Sequence, residues 1–189
     1  AVGHTSIYTG AVPSIHGIQA NNFLLNGKMT YCTADSTVSG VGTDSKAGQM
    51  SPRNMLTTTI GDELKVATNF KSRVFGVSIK DRAAILPAGH AADAAYWIDS
   101  KQSKFITSNY YMKQLPTWVE KYNKKISKYT SDQISYSPVG NEVTIDMAKN
   151  VISNEKLGQQ DETDMLCVSF SSTDKIGHKY GTHCQIIQD

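Results

Sequence analysis

The stretch Met165-Leu166-Cys167-Val168-Ser169-Phe170 constrains the fold more than any other part of the chain. A strand with one wet face alternates apolar and polar residues, whereas a strand covered on both faces reads as a continuous apolar run. Six residues suit a strand better than a helix. The run therefore predicts a central parallel strand with helices over both faces. Residues 72–79 (Ser-Arg-Val-Phe-Gly-Val-Ser-Ile) are β-branched and apolar and read as a second buried strand, ending at Lys80-Asp81-Arg82. Helical patterns alternate with these strands, so the predicted class is α/β, a central sheet flanked by helices.

The remaining elements follow from spacing and punctuation. Short strands are expected at 94–98 and 105–108. A helix is expected at 118–129 behind Pro116, and another at 144–157 with Ile145, Ala148, Val151 and Ile152 on one face. Residues 6–11 read as a brief helix running into the turn at Pro13 and Gly17. Ser51-Pro52 resembles an N-cap followed by a first-turn proline, predicting a helix over 54–65 with Met55, Leu56, Ile60 and Leu64 near helical spacing. Residues 26–51, rich in Gly, Ser, Thr and Asp, predict an irregular excursion, and about 100–140 a second, cap-like one.

At 189 residues the chain suits one domain, and 39% hydrophobic content supplies a packed core. The 19 basic and 17 acidic residues nearly balance, which argues against duplex nucleic-acid binding. The densest basic cluster, 121–128, is interrupted by Tyr122, Asn123, Ile126 and Ser127 and reads as the solvated face of a helix. No apolar run approaches the roughly 18–20 residues of a membrane span. Cys32, Cys167 and Cys184 form neither a CxxC pair nor a disulfide framework, and Cys167 reads as a core residue. The chain opens on Ala-Val-Gly-His and closes on Gln-Ile-Ile-Gln-Asp, so both ends read as cut.

Three constellations carry chemistry. Asp174 and His178 follow the 165–170 strand, where α/β sheets gather functional groups. Four residues apart on a helix, they share one side and reach one metal ion; an oxygen and an imidazole suit zinc. Spacing alone fits a surface coincidence or a cap equally well. Lys80 and Arg82 lie past the other buried strand. As alternate residues of extended chain they would converge on one anion, Arg as a planar fork and Lys as a point charge; they also fit a solvated strand end paired with Asp81. Asn21 or Asn22, in Gly-Ile-Gln-Ala-Asn-Asn-Phe, offers an amide donor to a phosphate oxygen but is indistinguishable from a turn. His4, His16 and His90 read as structural, and His183 carries no assignment.

Together these stretches resemble a known family. Gly-His-Thr-Ser-Ile-Tyr-Thr-Gly-Ala-Val-Pro-Ser-Ile-His-Gly-Ile at 3–18 is similar to the segment after the nucleophile in the type I phosphodiesterase/nucleotide pyrophosphatase branch of the alkaline phosphatase superfamily. Ser-Pro-Arg-Asn-Met-Leu at 51–56, Lys-Asp-Arg-Ala-Ala-Ile-Leu-Pro-Ala-Gly-His at 80–90 and Phe-Ser-Ser-Thr-Asp-Lys-Ile-Gly-His at 170–178 resemble its phosphate-irrepressible alkaline phosphatases. The resemblance implies a two-zinc hydrolase with a threonine nucleophile, a small phosphorylated substrate and a periplasmic or secreted location. It implies that Asp174 and His178 are ligands of one zinc and that Asn21 contacts the phosphoryl group. It implies further that Lys80 and Arg82 hold the extra negative charge of a phosphate monoester, a pair the diesterase branch does not carry.

The pattern is incomplete in this chain. By the family register the nucleophilic threonine falls immediately before Ala1, and the upstream aspartate ligand is absent. An Asp-His pair and a further histidine would lie beyond Asp189. Thr5 stands out of register for a substitute nucleophile. The expectation is thus a core fragment with two zinc ligands, weakly binding because two donors make a poor tetrahedral cage. Two alternatives remain open, a phosphodiesterase or nucleotide pyrophosphatase, and a non-catalytic domain that binds phosphorylated ligands. The oligomeric state is open as well.

Overall fold

The computed structural model describes residues 1–188. The chain runs through helices α1 (Val2–Thr9) and α2 (Pro13–His16), a hairpin of β1 (Asn22–Leu25) and β2 (Lys28–Tyr31), and the short β3 (Gly40–Val41). Then come α3 (Ile60–Ala67), β4 (Val74–Ser78), α4 (Asp81–Ala88), β5 (Ala94–Asp99) and β6 (Lys104–Ser108). Helices α5 (Thr117–Ile126), α6 (Ser131–Tyr136) and α7 (Val139–Asn154) precede β7 (Met165–Ser169), α8 (Ser171–Tyr180) and α9 (Gln185–Gln188).

The main sheet has the order β3-β6-β5-β4-β7. β4 runs parallel to both β5 and β7, while β6 is antiparallel to β5 and β3. Alternate residues of the inner strands feed two apolar layers, as the period of two demands. Phe75, Val77, Tyr96, Ile98 and Phe105 pack with Val119, Tyr122 and Ile126 of α5 and Val143, Met147 and Val151 of α7. Ala95, Trp97 and Ile106 face Ala84 and Ile85 of α4. Each large side chain so buried contributes roughly 1.5–3 kcal/mol relative to exposure. This is the expected α/β class, a central sheet flanked by helices. Among the described residues no helix is long and apolar enough to cross a membrane.

One close approach fixes the site. A Cβ on Gly76, in mid-β4, would stand 2.0 Å from the Ala84 carbonyl oxygen. Helix α4 therefore lies on the β4 backbone with no room for a side chain between them.

Several local expectations are corrected. The 165–170 strand is not central among the described residues: β7 stands last in their sheet order, with β4 as its strand neighbour. It reads apolar because it packs against both α4 and α7, with Cys167 buried and the rest of the strand half-buried. Ser51-Pro52 does not open a helix. α3 starts at Ile60, where Thr59 and Asp62 form a reciprocal capping box, and Leu56 and Ile60 are exposed. α1 covers Val2–Thr9 rather than 6–11. α7 begins earlier than predicted and buries Val143, Met147, Ala148 and Val151, leaving Ile145 and Ile152 outside. Lys121, Lys124, Lys125 and Lys128 are exposed around buried Tyr122 and Ile126, as a solvated helix face requires. Cys32 and Cys167 are buried, Cys184 is half-buried, and all three are free.

Candidate active site

Strands β4 and β7 are parallel and adjacent, with Ser78 opposite Ser169, so the chain leaves both at the same end of the sheet. There the Ser78 hydroxyl donates to the Ser169 carbonyl at 3.0 Å and lies 3.1 Å from Ser171 Oγ, tying the two exits together. Lys80 caps α4 and Arg82 sits in its first turn; Asp174 and His178 lie one turn apart on α8. The basic residues do not converge through extended chain, as the sequence suggested. The strand ends before Lys80, and the start of a helix brings both cations to the sheet end.

The geometry is tight around Asp174. Lys80 Nζ donates to its Oδ2 at 2.6 Å, and His178 Nε2 lies 3.5 Å from its Oδ1. The Lys80 side chain is 14% exposed, against 56% for Asp174 and 83% for His178, so the cation is sunk and the acid–imidazole pair is open. The hydrogen bond from Lys80, ahead of a smaller opposing effect of burial, holds the Asp174 carboxyl below its usual range.

Arg82 is half-buried, and its Nη1 donates to the Tyr31 hydroxyl at 2.9 Å. That hydroxyl donates to Asp81 Oδ1 at 2.9 Å, and Thr33 Oγ1 donates to Asp81 Oδ2 at 2.5 Å. Burial opposes charge on Arg82, but Tyr31 and Asp81 outweigh it and leave the guanidinium more basic than usual. Burial and the Asp81 charge push the Tyr31 phenol well above its ordinary value, so it stays protonated.

A cavity of about 830 Å³ is lined by Asn21, Lys80, Arg82, Asp174 and His178, so the structure brings every sequence-predicted site residue to one place. Asn21, exposed just ahead of β1, has its Oδ1 3.3 Å from the Ala1 amino nitrogen. Its neighbour Asn22 does not line the cavity. Nor does Thr5, which is buried with its hydroxyl donating to the Ala1 carbonyl within α1.

Further lining residues carried no functional signal in the sequence. His4, expected to be structural, makes a 3.3 Å contact with Ser169 Oγ and also faces the cavity. Its imidazole is held below the ordinary value by burial first, with the positive charges of Arg82 and Lys80 adding to it. Lys175 donates to Ser135 Oγ at 2.9 Å, and burial, with repulsion from Lys80 and Arg82, lowers its pKa. Lys80, Arg82, Lys175 and Lys179 line the cavity against the single carboxylate of Asp174, a charge balance that favours an anion. His16, by contrast, is buried 3.0 Å from Ser6 Oγ and accepts from the Ile18 N–H, a structural role.

Asp174 and His178 could hold a metal ion between them, but among the described residues no group of three or more His, Cys, Asp or Glu is so arranged.

Comparison with known proteins fits this geometry. The chain is 42% identical to a calcium-transporting ATPase of Myroides odoratus and 41% identical to the alkaline phosphatases PhoV of Synechococcus elongatus and PafA of Elizabethkingia meningoseptica. All of this chain is covered in each case, against 44% of each relative, so it spans less than half their length. The crystal structure of PafA superposes with a TM-score of 0.93 at 39% identity, over 99% of this chain and 46% of PafA. A PafA variant with a threonine, an asparagine, a lysine and an arginine replaced superposes at 0.94 with 38% identity, over the same shares. The family model for type I phosphodiesterase / nucleotide pyrophosphatase matches residues 1–189, and the chain belongs to that family, within the alkaline phosphatase superfamily.

Proposed function

We propose that this chain is the phosphoryl-binding part of a zinc-dependent phosphate monoester hydrolase that works through a threonine nucleophile. The observation that carries this reading is the convergence of Asn21, Lys80 and Arg82 on the cavity that also holds Asp174 and His178. The spacing of the residues replaced in the PafA variant supports it. The lysine and arginine there are two positions apart, like Lys80 and Arg82, and the threonine precedes the asparagine by twenty-one positions. Counted back from Asn21, that leads to the residue before Ala1, and the Ala1 amino nitrogen is already beside the Asn21 amide. A threonine there would stand next to the Asn21 side chain and the two cations.

The donor set fits zinc as far as it goes. Two ligands about 2.0–2.1 Å from a tetrahedral zinc stand roughly 3.3 Å apart, and His178 Nε2 and Asp174 Oδ1 are 3.5 Å apart. Bound zinc would polarise phosphoryl oxygens and lower the pKa of a coordinated hydroxyl or water. The chain's own residues do the rest. Lys80 is sunk and aimed at an anion position that Asp174 occupies here. Arg82 presents its remaining N–H groups as a fork for two oxygens of a dianionic phosphoryl group. Asn21 supplies a neutral donor. Fixed donors aimed where charge resides stabilise the transition state without reorganising. A periplasmic or secreted location goes with the proposal through family resemblance alone.

The test is hydrolysis of an aryl phosphate monoester and the matching diester by the complete protein with zinc. Replacing Lys80 and Arg82 by alanine is expected to lower monoester kcat/KM by roughly 10²–10³ or more and diester turnover far less. Equal losses would favour the diesterase reading. Asp174→Ala is expected to lower bound zinc and turnover together, and unchanged zinc stoichiometry would sink the ligand assignment.

A further inference from the structure

We infer that Tyr31 is a positioning residue for Arg82, a hydroxyl spacer that aims the guanidinium at the phosphoryl group while keeping the neighbouring Asp81 carboxylate from neutralising it. The inference rests on reading Arg82 as a phosphoryl-binding group.

The geometry is specific. Asp81 and Arg82 are consecutive in the first turn of α4, so the nearest acid to the guanidinium is its own chain neighbour. A direct pair would consume the fork that a phosphoryl group needs. Yet among the described residues Arg82 forms no ion pair, and neither does Asp81. Both Asp81 oxygens are already taken by hydroxyls from the hairpin strand and its exit, Tyr31 on Oδ1 at 2.9 Å and Thr33 on Oδ2 at 2.5 Å. The Tyr31 oxygen then accepts from Arg82 Nη1 at 2.9 Å. The phenol thus donates to the acid and accepts from the base, and each bond polarises the other. The arginine side chain is held at one nitrogen, it lines the cavity, and among the described residues its other N–H groups have no hydrogen-bond or ion-pair partner.

Removing the hydroxyl does two things at once. The Arg82 side chain loses the one hydrogen-bond partner it has among the described residues, and Asp81 Oδ1 becomes free to take the guanidinium directly. Both weaken anion binding.

The experiment measures inorganic phosphate binding by titration calorimetry in the complete protein, for Tyr31→Phe, Arg82→Ala, the double variant and Thr33→Val. Tyr31→Phe keeps the ring and is expected to weaken phosphate affinity about tenfold, the scale of one charged hydrogen bond. In the Arg82→Ala background the same change is expected to add less than twofold, because the hydroxyl acts through the arginine. Thr33→Val removes the other hydroxyl from Asp81 and is expected to lower Tm but leave phosphate affinity within twofold. Monoester kcat/KM should follow phosphate affinity across the series more closely than diester kcat/KM does. An Arg82→Ala loss with none in Tyr31→Phe overturns the positioning role alone. Full additivity in the double variant, or an equal loss in Thr33→Val, also overturns it, since the effect would then come from the start of α4. Unchanged phosphate affinity in Arg82→Ala overturns the reading of Arg82 and the positioning role together.

Discussion

Gly76→Ala is the sharpest probe of how the site is held. The added Cβ would meet the Ala84 carbonyl oxygen at 2.0 Å and the Ala84 carbonyl carbon at 2.9 Å, where ordinary contacts begin at 3.4 Å. The gap between β4 and α4 would have to open by about 1.4 Å. Neither wall yields easily: the clashing atoms are backbone, and Ala83, Ala84, Ile85, Leu86 and Ala88 are all within 3% of complete burial. Overpacking costs about 1–3 kcal/mol where side chains can move. Against backbone the upper end applies, about 3 kcal/mol, roughly a hundredfold in the folded-to-unfolded ratio. With urea slopes of about 1–3 kcal/mol/M, the midpoint should fall by roughly 1–3 M in a fluorescence-monitored titration. The displacement also exceeds the ~0.5 Å within which functional groups must be held. Protein that remains folded should therefore bind phosphate less tightly, because α4 carries Lys80 and Arg82. The same substitution at Gly27 provides the contrast. Its φ is +77° with nothing within 4 Å of the added Cβ, so only backbone strain of about 1–2 kcal/mol is expected. A Gly76→Ala protein within about 1 kcal/mol of wild type, with phosphate affinity intact, would refute the close approach.

Two further outcomes follow from buried charge. The Lys65 side chain is 7% exposed and is held by Asp93 at 2.8 Å, which also accepts from the Val74 N–H. Asp93→Ala strands that ammonium and should cost about 2–3 kcal/mol, discounted for the partial exposure of Asp93, and Lys65→Met in the same protein should recover part of it in a thermal melt. Asp35 is buried, which raises its pKa, but the Ser51 and Thr37 hydroxyls, the Thr37 N–H and Arg53 outweigh that and hold it below the ordinary value. A depressed folded-state pKa gives stability that is fully present above the unfolded value of about 3.9 and is lost as pH falls through the folded value. Asp35→Asn should lower stability at neutral pH and flatten its decline in acid. An unchanged acid slope would count against it.

The parts of the molecule that were legible in the sequence are those where burial leaves a one-dimensional trace. β4 is buried along its whole length and β7 is half-buried against α4 and α7, and both read as apolar runs. What such a run does not encode is a strand's place in the sheet, so the central position it suggests for β7 does not follow from it. Helix α4 leaves no periodic trace in the sequence because its residues from Ala83 to Ala88 are buried all round and Pro87 interrupts them, so no polar stripe marks it. The helix start, and not extended chain, is also the reason Lys80 and Arg82 meet. The β1–β2 hairpin did leave a signal. Asn26-Gly27 takes positive φ at both residues, as a type I′ turn requires, but the surrounding Gly, Ser and Thr suggested irregular chain. The start of α3 was likewise written in Thr59 and Asp62 rather than in Ser51-Pro52. Tyr31 could not have been found, because a phenol fifty positions from Asp81 has no spacing rule.

The pairing of β4 with β7 sets a timetable for synthesis. Ser78 and Ser169 are opposite each other but 91 residues apart in the chain. At about 5–20 residues per second, a ribosome needs roughly 5–18 s to make the second partner after the first. Once α4 and β5 have followed, β4 can fold against them with one edge bare, and Lys80 and Arg82 stand at their helix start without Asp174 to oppose them. Lys80 and Arg82 are made first, and Asp174, Lys175, His178 and Lys179 arrive together on α8, so the nascent chain carries its first two cations before their acidic partner exists.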